Sequence, residues 1–159
     1  AVELYSAAAA RPGLSEEAAQ YVQINFCQYY GHADRRDDKE ILSDENALAV
    51  ATSCATFYEH YPKRTSEGLG PFQMGLLFAR VEEYEKAIEM FVLAEERGFY
   101  DEHKTDVNQR EKENCARLYK QYMETASRIP GEKGVEAMNH AGRGMENKCG
   151  VEVKIIETQ

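Results

Sequence analysis

The sequence predicts an all-α protein built from antiparallel helix pairs and followed by an extended C-terminal tail. Three observations support this fold class: apolar residues recur at helical spacing, helix-start signals precede these stretches, and Gly or Pro residues follow them. The 159 residues fall in the single-domain range. We divide them into an N-terminal extension (1–14), a helical domain (15–129), and a weak helix with an extended tail (130–159).

The first predicted helix pair occupies residues 15–61. Its first helix begins at the N-cap residue Ser15, and two glutamates follow at the positive end of the helix dipole. Apolar residues then share one face until Gly31, which predicts the end of the helix. A second Ser-Asp-Glu signal at Ser43 opens the second helix, and we expect it to end before Pro62.

The second predicted pair follows a loop. Pro71 suits the first position of a third helix, because its missing N–H would have no partner there. A break near Glu82 and Glu83 separates this helix from a fourth one, which Gly98 ends. The short connection predicts two antiparallel helices.

The periodicity weakens toward the C-terminus. Residues 105–127 predict a fifth helix whose apolar face begins only in its second half, so the first half should face solvent or a partner. Residues 132–147 predict only a weak helix, because each of its three glycines costs about 1 kcal/mol relative to alanine.

The last residues show the only clear strand signal in the sequence. Apolar and charged residues alternate from Val151, with Val153 and Ile155 on the same side. This pattern fits a merely extended tail. It also fits a strand that Val151, Val153 and Ile155 add to the sheet edge of another protein.

Composition and charge exclude several classes of protein. The formal net charge is −9, whereas nucleic-acid binding normally requires a surplus of basic residues. The longest apolar stretch is Met74–Ala79, far short of the roughly 20 residues that cross a membrane. We therefore expect no nucleic-acid partner and no membrane span.

The cysteines are widely spaced and form no CxxC motif. Cys27, Cys54 and Cys115 fall among apolar residues, which is typical of buried free thiols. The fourth, Cys149, lies near the C-terminus. We therefore expect an intracellular protein in a reducing compartment, either cytoplasmic or organellar, with the mitochondrial matrix as one option.

No residue pattern indicates catalysis, a cofactor or a metal. The four histidines lie far apart in the sequence, and none has a partner at metal-ligand spacing: His32, His60, His103 and His140. We therefore expect a protein that is not an enzyme. An acidic run is most simply a solvated helix face, but it would also form a patch for a basic partner. It comprises Glu82, Glu83, Glu85, Glu89, Glu95 and Glu96.

Small and aromatic residues recur at a characteristic spacing in residues 68–101: Met74-Gly75, then Phe78, Tyr84, Ala87, Phe91 and Ala94. With this spacing, the segment resembles one tetratricopeptide repeat (TPR). At this spacing small residues let two helices cross closely, and aromatic residues fill the space between them.

This resemblance implies a TPR-like right-handed superhelical stack whose inner face binds peptides or protein segments. Four residues of the clear repeat would lie on that face: Phe72, Gln73, Leu76 and Arg80. Alternatively, these residues simply pack on the preceding helix.

Since one repeat is too short for a continuous core, we expect a small accessory or adaptor subunit of a larger protein complex. A free-standing peptide-binding adaptor is the main alternative. An enzyme in an unfamiliar helical fold is the third.

Overall fold

A computed structural model describes residues 11–31, 42–60, 68–99 and 109–151. Within these residues the chain forms six α-helices and no strand, so the all-α prediction is confirmed for this part of the protein. The helices are α1 (Glu16–Gly31), α2 (Asp44–His60), α3 (Leu69–Arg80), α4 (Tyr84–Glu96), α5 (Gln109–Ala126) and α6 (Glu132–Cys149). None of these helices is long and apolar enough to cross a membrane.

The predicted start signals act as helix caps. The Ser15 Oγ accepts a hydrogen bond from the Ala18 amide at 3.2 Å, and the Ser43 Oγ accepts one from the Asn46 amide at 3.3 Å. Each hydroxyl satisfies an amide that has no partner within its own helix. Both predicted helix starts are therefore confirmed.

The predicted break between the third and fourth helices is a tight turn. Glu82 adopts a left-handed backbone with a φ of 63°, which is uncommon for a residue with a side chain. The Glu83 amide then donates to the Phe78 carbonyl oxygen at 2.9 Å. This turn reverses the chain, so α3 and α4 pack as a hairpin.

The C-terminal helix is longer than the weak helix that the sequence predicts. Two of its glycines allow a close approach because they lack a side chain. A Cβ at Gly144 would overlap the Tyr119 ring, and a Cβ at Gly134 would overlap the Ile129 carbonyl oxygen. Left-handed Gly150 ends the helix at a φ of 67°. Val151 follows as an exposed residue, whereas Val153 and Ile155 lie outside the described residues.

The helices pack mainly in sequence order. The closest associations are α3 with α4 and α5 with α6, while α2 packs on α3 and α4 packs on α5. A single cluster of buried apolar residues runs from α1 to α6. The described helices therefore share one core.

Two disulfides replace the predicted free thiols. Cys27 of α1 pairs with Cys54 of α2, and Cys115 of α5 pairs with Cys149 of α6. The Cα atoms are 5.7 Å and 5.6 Å apart, as disulfide geometry requires. The free-thiol prediction is wrong because helix packing brings together cysteines that are distant in sequence. The reducing compartment inferred from free thiols therefore loses its basis.

Candidate functional site

Two of the predicted groove residues lie inside the protein. Phe72 is 1% exposed, its ring stacks on Phe99 at 4.6 Å between centroids, and the Arg117 guanidinium lies 5.2 Å from its centroid. Gln73 is also buried, and its side chain packs beside Gly31 of α1. Neither side chain faces an open groove.

The other two predicted groove residues also contact neighbouring segments. Leu76 is partly buried and packs against the core. Arg80 donates a hydrogen bond to the Leu42 carbonyl oxygen at 2.6 Å and pairs with Asp44 at 3.2 Å. Arg80 therefore connects the end of α3 to the start of α2. The contacts of these four residues agree better with packing against neighbouring segments than with an open binding face.

The predicted repeat-packing residues lie at the contact between α3 and α4. Gly75 is buried, and a Cβ there would lie 2.5 Å from a carbon of the Phe91 ring. The larger buried set comprises Phe78, Ala87, Phe91 and Ala94. Tyr84 is partly buried at the start of α4. The small residues thus let the two helices approach closely.

An open cleft of about 420 Å³ lies between the α3–α4 turn and the α5–α6 turn. We call it the acidic cleft. Its lining consists of Glu82, Glu83, Tyr84, Glu85, Lys86, Glu89, Arg128, Ile129 and Pro130. Four members of the acidic run in the sequence therefore meet in one concave surface.

The carboxylates of the acidic cleft outnumber its basic groups. Lys86 lies 3.8 Å from Glu83, and Lys133 of α6 lies 4.0 Å from Glu85. These ion pairs are exposed, so water and salt screen each of them. A cleft with an excess of one charge still attracts an oppositely charged partner over a longer range. Electrostatically, the acidic cleft suits a basic protein segment.

Glu95 belongs to a separate cluster that joins α4 to α6. Its side chain is only 11% exposed, and its two carboxylate oxygens lie 3.0 Å and 3.1 Å from His140 Nε2. Lys148 Nζ lies 3.8 Å from the same carboxylate. Sequence spacing alone does not predict this cluster, because 45 residues separate Glu95 from His140 and no local pattern connects them.

Tyr122 of α5 borders this cluster. Its ring centroid is 5.7 Å from that of His140 and 6.0 Å from that of Phe91. Burial, followed by the nearby charge of Glu95, raises the pKa of Tyr122 to about 12. The phenol is therefore protonated at neutral pH, and Tyr122 of α5 packs beside the Glu95–His140 contact that joins α4 to α6.

Large apolar side chains are exposed at both ends of the helix order. On α1, Tyr21 is 65% exposed and Tyr29 is 56% exposed, two turns further along the same side. On α6, Val135 is 58% exposed and Met138 is 41% exposed. Exposed apolar groups that recur on one helix side are typical of contact surfaces.

Among the residues that the structure describes, no three potential ligands cluster in a way that would hold a metal ion. His140 has Glu95 as its partner, and His60 Nδ1 lies 2.8 Å from the Thr56 carbonyl oxygen of its own helix. His32 and His103 lie outside the described residues. No protein-family model, curated protein or solved structure matches this chain significantly.

Proposed function

We propose that this chain is a non-enzymatic protein-interaction protein, acting as a small accessory or adaptor subunit that helps a larger complex assemble. The proposed scaffold is a TPR-like right-handed stack. Its support is the α3–α4 hairpin, in which Gly75 lies against Phe91, and the packing of the helices in sequence order. The partners are other proteins, and the proposal involves no nucleic acid, cofactor or metal.

The exposed side chains of the terminal helices carry this proposal. Tyr21 and Tyr29 on α1, and Val135 and Met138 on α6, face solvent while the opposite sides of both helices contribute to the core. Tyrosine and methionine are enriched at protein interfaces because they offer large contact areas. Neighbouring subunits at the two ends of the stack would cover these side chains.

The native mass of the protein tests the proposal. Size-exclusion chromatography with light scattering, applied to a gentle extract of the source, should find the 18.1 kDa chain only in a larger particle. A stable monomer in that extract would contradict the accessory-subunit proposal and favour the free-standing adaptor.

A pair of variants locates the contact surface. Tyr21→Ser combined with Tyr29→Ser should reduce the fraction of chain retained in the particle, because it removes apolar contact area. Gln28→Ser is a matched control, since Gln28 is an exposed polar residue of the same helix. Equal retention of the double variant and the control would exclude α1 as the contact surface.

The acidic cleft favours a second candidate function, a free-standing adaptor for basic peptides. A Lys- and Arg-rich peptide should bind with an affinity that falls as salt rises. The combined variant Glu83→Gln, Glu85→Gln and Glu89→Gln should weaken binding at least tenfold. The control variant Glu17→Gln, Glu45→Gln and Glu124→Gln removes the same charge elsewhere, so equal losses in both variants would show that only net charge matters.

The C-terminal residues offer a third test of interaction. We propose that Val151, Val153 and Ile155 add a strand to a partner's sheet edge, and exposed Val151 marks where this segment leaves α6. Deleting residues 151–159 should weaken assembly without changing the helical circular dichroism. Unchanged retention in the particle would contradict this part of the proposal.

A further inference from the structure

The two disulfides differ in their access to solvent. Cys27 and Cys54 are both 0% exposed, so the α1–α2 disulfide is fully buried in the core. Cys115 is 3% exposed, whereas Cys149 is partly exposed at the last residue of α6. Since thiol–disulfide exchange needs a thiolate to reach a sulfur atom, Cys149 offers the more accessible point of attack.

The second disulfide also secures a helix that has little apolar packing of its own. The only apolar side chains that α6 buries fully are Ala141 and Met145, and its other buried positions are glycines. Val135 and Met138 of the same helix face solvent. Among the described helices, α6 packs almost entirely on α5. The covalent bond therefore adds a link between α5 and α6 at the C-terminal end of α6.

Polar contacts add to the packing of α6 on α5. The Glu95 carboxylate holds His140 and Lys148, and the exposed pair between Glu85 and Lys133 adds a weak contact. Such ion pairs weaken in salt and do not replace a covalent link. Once the disulfide opens, the attachment of α6 depends on these pairs and on its non-covalent packing against α5.

Beneath α6 lies an aromatic surface of α5. Tyr119 is 0% exposed and lies against Gly144, and Tyr122 is 3% exposed with its ring beside His140. Movement of α6 away from α5 would expose both rings to solvent. The released state would therefore present an aromatic surface that the oxidised state hides.

We propose that the Cys115–Cys149 disulfide is a redox-sensitive latch, which a dithiol reductant opens to release α6 and expose Tyr119 and Tyr122. A thiolate of the dithiol attacks the Cys149 sulfur, and Cys115 leaves as a thiolate that takes up a proton. The second thiol of the reductant loses its proton and attacks the mixed disulfide, which frees Cys149. The reductant ends as a disulfide, and the protein gains two electrons and two protons.

Differential alkylation tests the order of opening. The folded full-length protein is treated with increasing dithiothreitol, its free thiols are blocked with N-ethylmaleimide, and each cysteine is quantified by peptide mass spectrometry. Cys115 and Cys149 should become labelled at a reductant concentration at least tenfold below that which labels Cys27 and Cys54. Simultaneous labelling of all four, or earlier labelling of Cys27 and Cys54, would overturn the proposal.

Hydrogen exchange tests the release of α6. Amide exchange across residues 132–149 should accelerate at least tenfold when dithiothreitol opens the Cys115–Cys149 bond, while exchange in α3 and α4 stays unchanged. The variant Cys115→Ser with Cys149→Ser should show the same fast exchange without reductant. If α6 of the selectively reduced protein exchanges as slowly as in the oxidised protein, the disulfide is no latch.

Discussion

The α3–α4 hairpin and α6 are both helical, yet different interactions hold them in place. The hairpin buries large aromatic side chains, including Phe72, Phe78 and Phe91. By contrast, α6 buries only Ala141 and Met145 among its apolar side chains, and it relies on glycine contacts, a disulfide and ion pairs. Dense apolar packing resists changes in salt and redox state, whereas the attachment of α6 responds to both.

Both the α3–α4 hairpin and α6 contain glycines, but these glycines have different effects on packing. Gly75 admits the Phe91 ring, and Gly144 admits the Tyr119 ring. A Cβ at Gly142, however, would meet no atom within 4 Å. Two of these glycines are therefore required for close packing, while the third only lowers the helix propensity of α6.

The largest effect should come from the hairpin. Phe91→Ala removes a fully buried ring that contacts Gly75 and stacks near Tyr122, so the free energy of unfolding should fall by about 3–5 kcal/mol. Urea unfolding followed by circular dichroism measures this loss. Exposed Tyr29→Ala is the control, with an expected change within about 0.5 kcal/mol. A loss below 1 kcal/mol for Phe91→Ala would contradict the central role of the hairpin.

Two glycines of α6 provide the next test. Gly144→Ala should destabilise the protein by about 1–3 kcal/mol, because its methyl group overlaps the Tyr119 ring. Gly142→Ala should stabilise it by up to about 1 kcal/mol, because its methyl group enters open space and favours the helix. Thermal unfolding of the two variants should therefore shift in opposite directions. A shift in the same direction would show that the α5–α6 contact is not as close as described.

Features that depend on residues close in sequence could be predicted, whereas contacts between distant residues could not. Ser15, Ser43 and the break at Glu82 were predictable, because caps and turns depend on residues close in sequence. The disulfides and the Glu95–His140 pair were not, because they join residues that only the packed helices bring together. The helix over Glu132–Cys149 was predicted only weakly for a related reason. Whether a glycine weakens a helix or lets a ring approach depends on its neighbour.

The burial of the predicted groove residues was harder to predict than the helices. A repeat-like pattern at Phe72, Gln73 and Arg80 predicts a helix face but does not tell whether an adjacent helix covers it. Here Phe99, Gly31 and Asp44 occupy those sides. The acidic run was informative because four of its carboxylates follow one turn and the start of the next helix, so their proximity is local.

Alkaline pH should lower the free energy of unfolding through Tyr122 of α5, whose ring lies between Phe91 of the hairpin and His140 of α6. The pKa of Tyr122 is about 12 in the folded protein and about 10 when unfolded, so between these pH values only the unfolded state loses the proton. The contribution of protonated Tyr122 to the free energy of unfolding is therefore fully present below pH 10, and it is lost as the pH rises toward 12. Tyr122→Phe should reduce this fall by up to roughly 2 kcal/mol, since each pKa unit corresponds to about 1.4 kcal/mol. Equal pH dependence of variant and parent, measured by urea unfolding from pH 9 to 12, would exclude a contribution from Tyr122.

The smallest expected losses of stability come from two ion-pair contacts between α4 and α6, one centred on Glu95 and one on Glu85. Glu95→Gln removes a carboxylate that is 11% exposed and holds both His140 and Lys148, so we expect a loss of about 1 kcal/mol. Glu85→Gln is the matched control, because its pair with Lys133 spans 4.0 Å between exposed groups and should contribute at most about 0.3 kcal/mol. Thermal unfolding of both variants and the parent, under one set of conditions, measures the two losses. Equal losses would mean that burial adds nothing to the Glu95 cluster, leaving the disulfide and the glycine contacts to hold α6.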